Sequence, residues 1–273
     1  MKLFFGVSTA LIGLSVALSG STPSVKSALH PIVDAQSGYL IGGSRSGKWI
    51  ADKEVAKTVT GAETYRVLGS SSQLGQTTGS KSRTNEEPCI ETHRINLNKN
   101  FNGQIAVSAN WNSLPRRVRA QDTNQKIYRD EVARILKKGG INQPKVIITQ
   151  LWRVDLEGDG VEEVLLTASN YSGQQDWPRK IGSYSSAGDY SIAVLRKVVN
   201  GKVHRIQLGA EIYPKTKQFN APSAFSFAGV YDLNGDSKME VVIRGTYYEG
   251  DWTSVYEVRG ASAKEVLSSG CGA

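Results

Sequence analysis

Nine residues constrain this chain more than any others: Asp155-Leu156-Glu157-Gly158-Asp159-Gly160-Val161-Glu162-Glu163, running straight into Val164-Leu165-Leu166. Oxygen-bearing side chains alternate with small or turn-forming residues. The same grammar returns as Asp232-Leu233-Asn234-Gly235-Asp236-Ser237-Lys238-Met239-Glu240, followed by Val241-Val242-Ile243. Both stretches lie between segments rich in β-branched and aromatic residues, so each reads as a tight loop joining two strands.

The spacing suits a hard cation. Ca²⁺ takes six to eight oxygens, and side chains at positions one, three and five, a carbonyl at seven and a carboxylate at nine supply them. In the first loop these are Asp155, Glu157, Asp159, the Val161 carbonyl and Glu163. In the second they are Asp232, Asn234, Asp236, the Lys238 carbonyl and Glu240. Gly158 and Gly160 let the backbone wrap through positive φ. An EF-hand is excluded, because it needs a bidentate Glu at position twelve and flanking helices. That position is Leu166 in one copy and Ile243 in the other.

The pattern resembles the FG-GAP or VCBS-type repeat, the loop of integrin-like β-propeller blades. That family's Asp-x-Asp/Asn-Gly-Asp-Gly-x-x-Asp/Glu followed by an apolar strand matches the first loop except at Glu157. The second departs at Ser237, where the family has Gly. No Phe-Gly…Gly-Ala-Pro segment precedes either loop, and the resemblance covers the C-terminal half only. It implies a structural Ca²⁺ and four-stranded antiparallel units.

The rest of the chain fits that frame. The expected fold is α+β and mostly β. Its parts are a signal peptide over 1–19, a flexible linker over 20–37, an N-terminal α+β region over 38–140, and two β units over 141–273. Strands are expected at 39–41 and 48–50 around a glycine turn, then at 65–68, 89–97 and 104–108, the last two forming a hairpin. A short helix capped by Asp52 should run to Thr58. The main helix is expected over 122–138, capped by Asp122, with Ile127, Tyr128, Val132, Ile135 and Leu136 on one apolar stripe and Gly139-Gly140 ending it. Each C-terminal unit reads as strand, acidic loop, strand, hairpin. Asn200-Gly201 is the clearest hairpin turn. Beyond the loops, Asn170-Tyr171 parallels Tyr247-Tyr248, and Asp189-Tyr190-Ser191 parallels Asp251-Trp252-Thr253.

Composition bounds location and partners. Met1-Lys2 followed by an apolar stretch to Leu18 and small residues at Ser19-Gly20-Ser21 has the form of a secretory signal, either cleaved there or retained as a single anchor. In an exported chain, the only two cysteines, Cys89 and Cys271, suggest one disulfide. It would contribute roughly 4–5 kcal/mol in the loop-entropy treatment. The net charge of +8 draws such a protein to anionic cell-surface polymers. Nucleic acid is not expected: Arg116-Arg117-Val118-Arg119 lacks interleaved aromatics and reads as a solvated basic face.

Other motifs carry little. Gly42-Gly43-Ser44-Arg45-Ser46-Gly47-Lys48 spells a phosphate-loop pattern, but Trp49 stands where Ser or Thr must bind Mg²⁺, so a hairpin turn is expected. His93 and His204 sit in strand patterns without a nucleophile. Tyr171, Trp177, Tyr184, Tyr190, Tyr247, Tyr248 and Trp252 serve either as core or as a stacking surface for sugars or a protein.

Two functions are therefore expected from different classes. One is an exported, Ca²⁺-stabilised binding or structural protein without catalysis, secreted, periplasmic or at the cell surface, with a carbohydrate, anionic polymer or protein as partner. The alternative is an exported hydrolase of wall or polysaccharide material, needing two carboxylates in a cleft.

Overall fold

The computed structural model describes Met1 and residues 28–99, 101–171 and 181–272. The expected signal peptide beyond Met1, residues 20–27 of the expected linker and Trp177 lie outside them. Among the described residues no helix is long and apolar enough to cross a membrane.

The fold is mostly β, with several antiparallel sheets and one long helix. The N-terminal part contributes β1 (His30–Asp34), β2 (Leu40–Arg45), β3 (Lys48–Ala51), α1 (Asp52–Ala56), β4 (Thr64–Leu68), β5 (Gln73–Thr78), β6 (Arg83–Thr84), β7 (His93–Arg94) and β8 (Ile105–Val107). Six of these strands form a sheet in the order β3-β2-β1-β8-β4-β5, while β6 and β7 pair separately. β9 (Arg119–Ala120), α2 (Lys126–Lys138), β10 (Ile148–Val154), β11 (Glu163–Ser169), β12 (Tyr190–Val199) and β13 (Lys202–Ile212) follow. They make a five-stranded sheet, β13-β12-β11-β10-β9, with α2 on its outer face. The last four strands, β14 (Ala224–Tyr231), β15 (Glu240–Tyr247), β16 (Gly250–Arg259) and β17 (Ser262–Cys271), form a sequential four-stranded sheet.

The three sheets stack, and strand alternation dictates how. In β15, Val241 and Ile243 point to one face and join Leu165, Leu195 and Leu208 of the five-stranded sheet in a shared core. Val242 points the other way, meeting Ile32, Leu68 and Val107 of the six-stranded sheet. The middle sheet is therefore buried on both faces, which is why β15 reads as a continuous apolar run. Burying each such side chain contributes about 1.5–3 kcal/mol. Tyr128, Val132, Ile135 and Leu136 of α2 close the outer face of the five-stranded sheet.

Several expectations are corrected. The linker expected to 37 is already strand at His30, because Ile32 and Val33 are fully buried against both neighbouring strands. Asp122 does not cap α2; it accepts the Asn124 N–H in a turn, and the residue before the helix is Gln125, with no side-chain cap. Ile127 is exposed, a quarter turn off the apolar stripe. Asp52 likewise caps nothing and pairs with His93 at 2.9 Å. The strand expected over 89–97 shrinks to His93–Arg94, and β8 pairs with β1 and β4 rather than with it. Finally, β9 and α2 belong with the C-terminal sheet, so the boundary expected at 140 cuts through a packed unit.

Two devices tie the stack together. Cys89 and Cys271 form a disulfide across 182 residues, with Cα atoms 5.5 Å apart. Inside, Arg244 of β15 donates to both oxygens of Asp34 of β1 at 2.8 and 2.9 Å, and Thr253 donates to the same carboxylate. Burial alone would raise the Asp34 pKa, but Arg244, Thr253 and the Gln36 N–H outweigh it and hold it below the usual carboxylate value.

Candidate functional site: two acidic loops

The two loops, 155–163 and 232–240, lie side by side, joined by the Met239 N–H donating to the Leu156 carbonyl at 2.9 Å. They share one hydrogen-bond template. The first aspartate takes N–H groups three and five residues on. Asp155 accepts from Gly158 at 2.6 Å and Gly160 at 2.9 Å; Asp232 accepts from Gly235 at 2.7 Å and Ser237 at 3.0 Å. Asp159 accepts the Val161 N–H and Asp236 the Lys238 N–H. The closing glutamates reach back to the second residue, Glu163 to Leu156 N–H at 2.8 Å and Glu240 to Leu233 N–H at 2.9 Å. Ser237 takes φ of +67°, close to the +84° of Gly160, so the departure from glycine leaves the loop path unchanged.

A strap over 111–116 holds both loops. The Trp111 indole N–H donates to the Asp232 carbonyl, and its ring lies against Gly235, where a Cβ would come within 3.2 Å. The Arg116 guanidinium donates to the carbonyls of Asp155, Leu156 and Ser237, bridging the loops. Arg116 is thus committed to the loops rather than belonging to a solvated basic face.

Position three separates the copies. Asn234 is short and stays in its loop, accepting the Asp236 N–H at 2.9 Å. Glu157 is longer and leaves the loop to pair with Lys197 of β12. The Lys197 side chain is only 3% exposed, and its ammonium also lies 3.6 Å from Glu163. The strand ladders explain the placement. Arg196 sits opposite Val164, and Tyr256 opposite Val241. Lys197 and Glu257 are the next residues, so one unit puts an ammonium beside its closing glutamate where the other puts a carboxylate. The expected echo of Asp189-Tyr190-Ser191 with Asp251-Trp252-Thr253 is two residues out of step, since Ser191 faces Ser169 just as Asp251 faces Thr246.

Electrostatics follow. Asp155 is held below its ordinary pKa: burial opposes this, but the Gly160, Gly158 and Asp159 N–H groups and Arg116 prevail. Glu163 is raised by burial, despite relief from the Leu156 N–H and Lys197. In the second loop burial raises Asp232, with Asp236 adding to it. Burial drives Glu240 well above the usual range, helped by Asp236, Asp232 and Glu257 and opposed by the Leu233 N–H. Arg259 binds Glu257 at 2.7 Å, but its side chain is 74% exposed and solvent screens it. A cavity of about 290 Å³ opens here, lined by Glu157, Asp236, Glu240 and Glu257.

All ten expected ligand positions therefore fall in one paired-loop feature. Val161 and Lys238 are exposed. Among the described residues, no three His, Cys, Asp or Glu side chains converge into a metal cage. Sequence reading missed Lys197, Glu257, Trp111 and Arg116, because only the strand register and the path of the strap bring them to the loops. The aromatic stacking surface is reduced too: Tyr171 and Tyr190 are buried and donate to the carbonyls of Ser223 and Lys145. No family model, curated protein or solved structure matches this chain.

Proposed function

We propose that the chain is an exported, Ca²⁺-stabilised β-rich binding or structural protein, a divergent relative of the FG-GAP/VCBS type, and that its ion belongs to the second loop. One observation carries this reading: Glu240 and Asp232 are 1% and 2% exposed, crowded by Asp236 and Glu257, without a buried cation of their own among the described residues. Buried carboxylates need a positive partner. The oxygens of Asp232, Asn234, Asp236 and Glu240 suit a hard cation, whose arrival would draw them together. The first loop has its partner in Lys197.

The non-catalytic reading has support in two cavities, of about 530 and 550 Å³, whose lining includes no Asp or Glu among the described residues. The basic net charge and the leader-like N-terminus support export and an anionic partner at the cell surface.

Thermal melting in millimolar Ca²⁺ and in EDTA tests the reading. An ion at a hundredfold its dissociation constant stabilises by about 2.7 kcal/mol, and calorimetry should count one ion per chain. Identical melts in the two solutions would sink the proposal.

A further inference from the structure

Two cavities, of about 530 and 550 Å³, share Ser70 and Trp152 and form one groove where all three sheets meet. Its walls come from the β4–β5 turn, from β9 and the residues before it, and from β10 and β14. The half-buried Trp152 is its centre, with Phe227 packed against it at 5.6 Å between ring centroids.

The chemistry of the lining selects an occupant. Ligand-ready groups remain: the Gln104 amide nitrogen, the Gln36 amide oxygen and the hydroxyls of Ser70 and Ser226 have no hydrogen bond among the described residues. An added peptide strand is disfavoured, because the outer edge of β14 is already filled. The Gln150 side chain accepts from the Phe227 N–H at 2.7 Å and donates to its carbonyl at 3.0 Å, as a neighbouring strand would, and Ser191 accepts the Phe225 N–H. At the other end stand Arg117 and Arg119. Arg119 pairs with Glu162, while Arg117 is exposed and has no acidic partner among the described residues. Amides and hydroxyls beside an indole, with guanidinium at the mouth, fit a sugar that carries a carboxylate.

We propose that this groove binds a carboxylated oligosaccharide, with a sugar ring against Trp152 and its carboxylate toward Arg117. The proposal deepens the binding reading above and uses no residue of the acidic loops, so the calcium melt and the sugar titration fail separately. The test is a titration of the full chain, followed by tryptophan fluorescence and calorimetry, with trigalacturonate, neutral maltotriose and triglutamate as probes. Trigalacturonate should saturate, and maltotriose should bind more weakly. Arg117→Ala, on the surface, should weaken trigalacturonate about tenfold, the size of a lost charge-assisted hydrogen bond, and leave maltotriose unchanged. Trp152→Phe keeps apolar bulk behind the groove and should weaken both sugars. If that variant misfolds, the Arg117→Ala result decides alone. The proposal is overturned by absence of saturation at millimolar trigalacturonate, by affinity indifferent to Arg117→Ala, or by triglutamate binding as tightly as the sugar, which would assign the groove to an acidic peptide.

Discussion

The two acidic loops share a backbone path and differ in how their charge is compensated. Matching N–H groups cradle Asp155 and Asp232, and matching amides hold Glu163 and Glu240. Yet one strand-pair position carries Lys197 in the first unit and Glu257 in the second. A shared template thus fixes the loop geometry, while the residue across the ladder decides whether the closing glutamate has an ammonium or a carboxylate beside it. Lysine is a compact point charge, and a buried one can stand where a cation would otherwise sit. A carboxylate in that place adds cross-strand repulsion.

Three substitutions would break or sharpen this contrast. The largest effect is expected from Lys197→Met, which leaves the buried Glu163 without its ammonium. Unpairing a buried ion pair costs about 3–5 kcal/mol. Denaturation in EDTA should register that loss, and Ca²⁺ should recover part of it by entering the first loop. A loss under about 1 kcal/mol would mean that Lys197 is not the loop's cation.

Glu240→Gln comes next and should abolish the Ca²⁺-dependent stabilisation of about 2.7 kcal/mol. It should also flatten a pH dependence. Burial and neighbouring carboxylates raise Glu240 in the folded state, so the fold binds this proton more tightly than the unfolded chain, where Glu titrates near about 4.3. Its contribution is full below that pH and is lost as pH rises through the raised folded value. In the native chain the Ca²⁺-induced shift in melting should therefore grow with pH across that window. A shift independent of pH in the native chain, or a pH profile unchanged in the variant, would count against the assignment.

Glu257→Lys has the smallest expected effect. It gives the second loop the ammonium of the first and relieves the repulsion on Glu240, but it also gives up the exposed Arg259 pair and sets a lysine opposite Lys264, so the net gain is under about 1 kcal/mol. Melting in EDTA should rise slightly and the response to Ca²⁺ should shrink. If Ca²⁺ still stabilises this variant fully, position 257 does not govern ion demand.

Much of the fold was legible because β periodicity and turn chemistry are local. Asn200-Gly201 closes its hairpin with positive φ at both residues, and Ser46-Gly47 does the same inside the phosphate-loop pattern. The apolar runs after each loop are the central strands β11 and β15. The N-terminal part was less legible. His30–Asp34 carry little local strand signal, yet β1 lies between β2 and β8, because long-range pairing stabilises a strand that propensity alone does not call for. Asp52 and Asp122 look like helix caps, but tertiary partners and turns claim their carboxylates.

By itself, the amino-acid sequence determined the loops, the strands that flank them and the pairing available to Cys89 and Cys271, since spacing and residue type suffice for these. Only the tertiary structure decided which loop carries its own cation, that Arg116 and Trp111 brace both, and that Trp152 and Arg117 share a groove. Charge compensation and groove walls depend on residues far apart in sequence, and strand register is what brings them together.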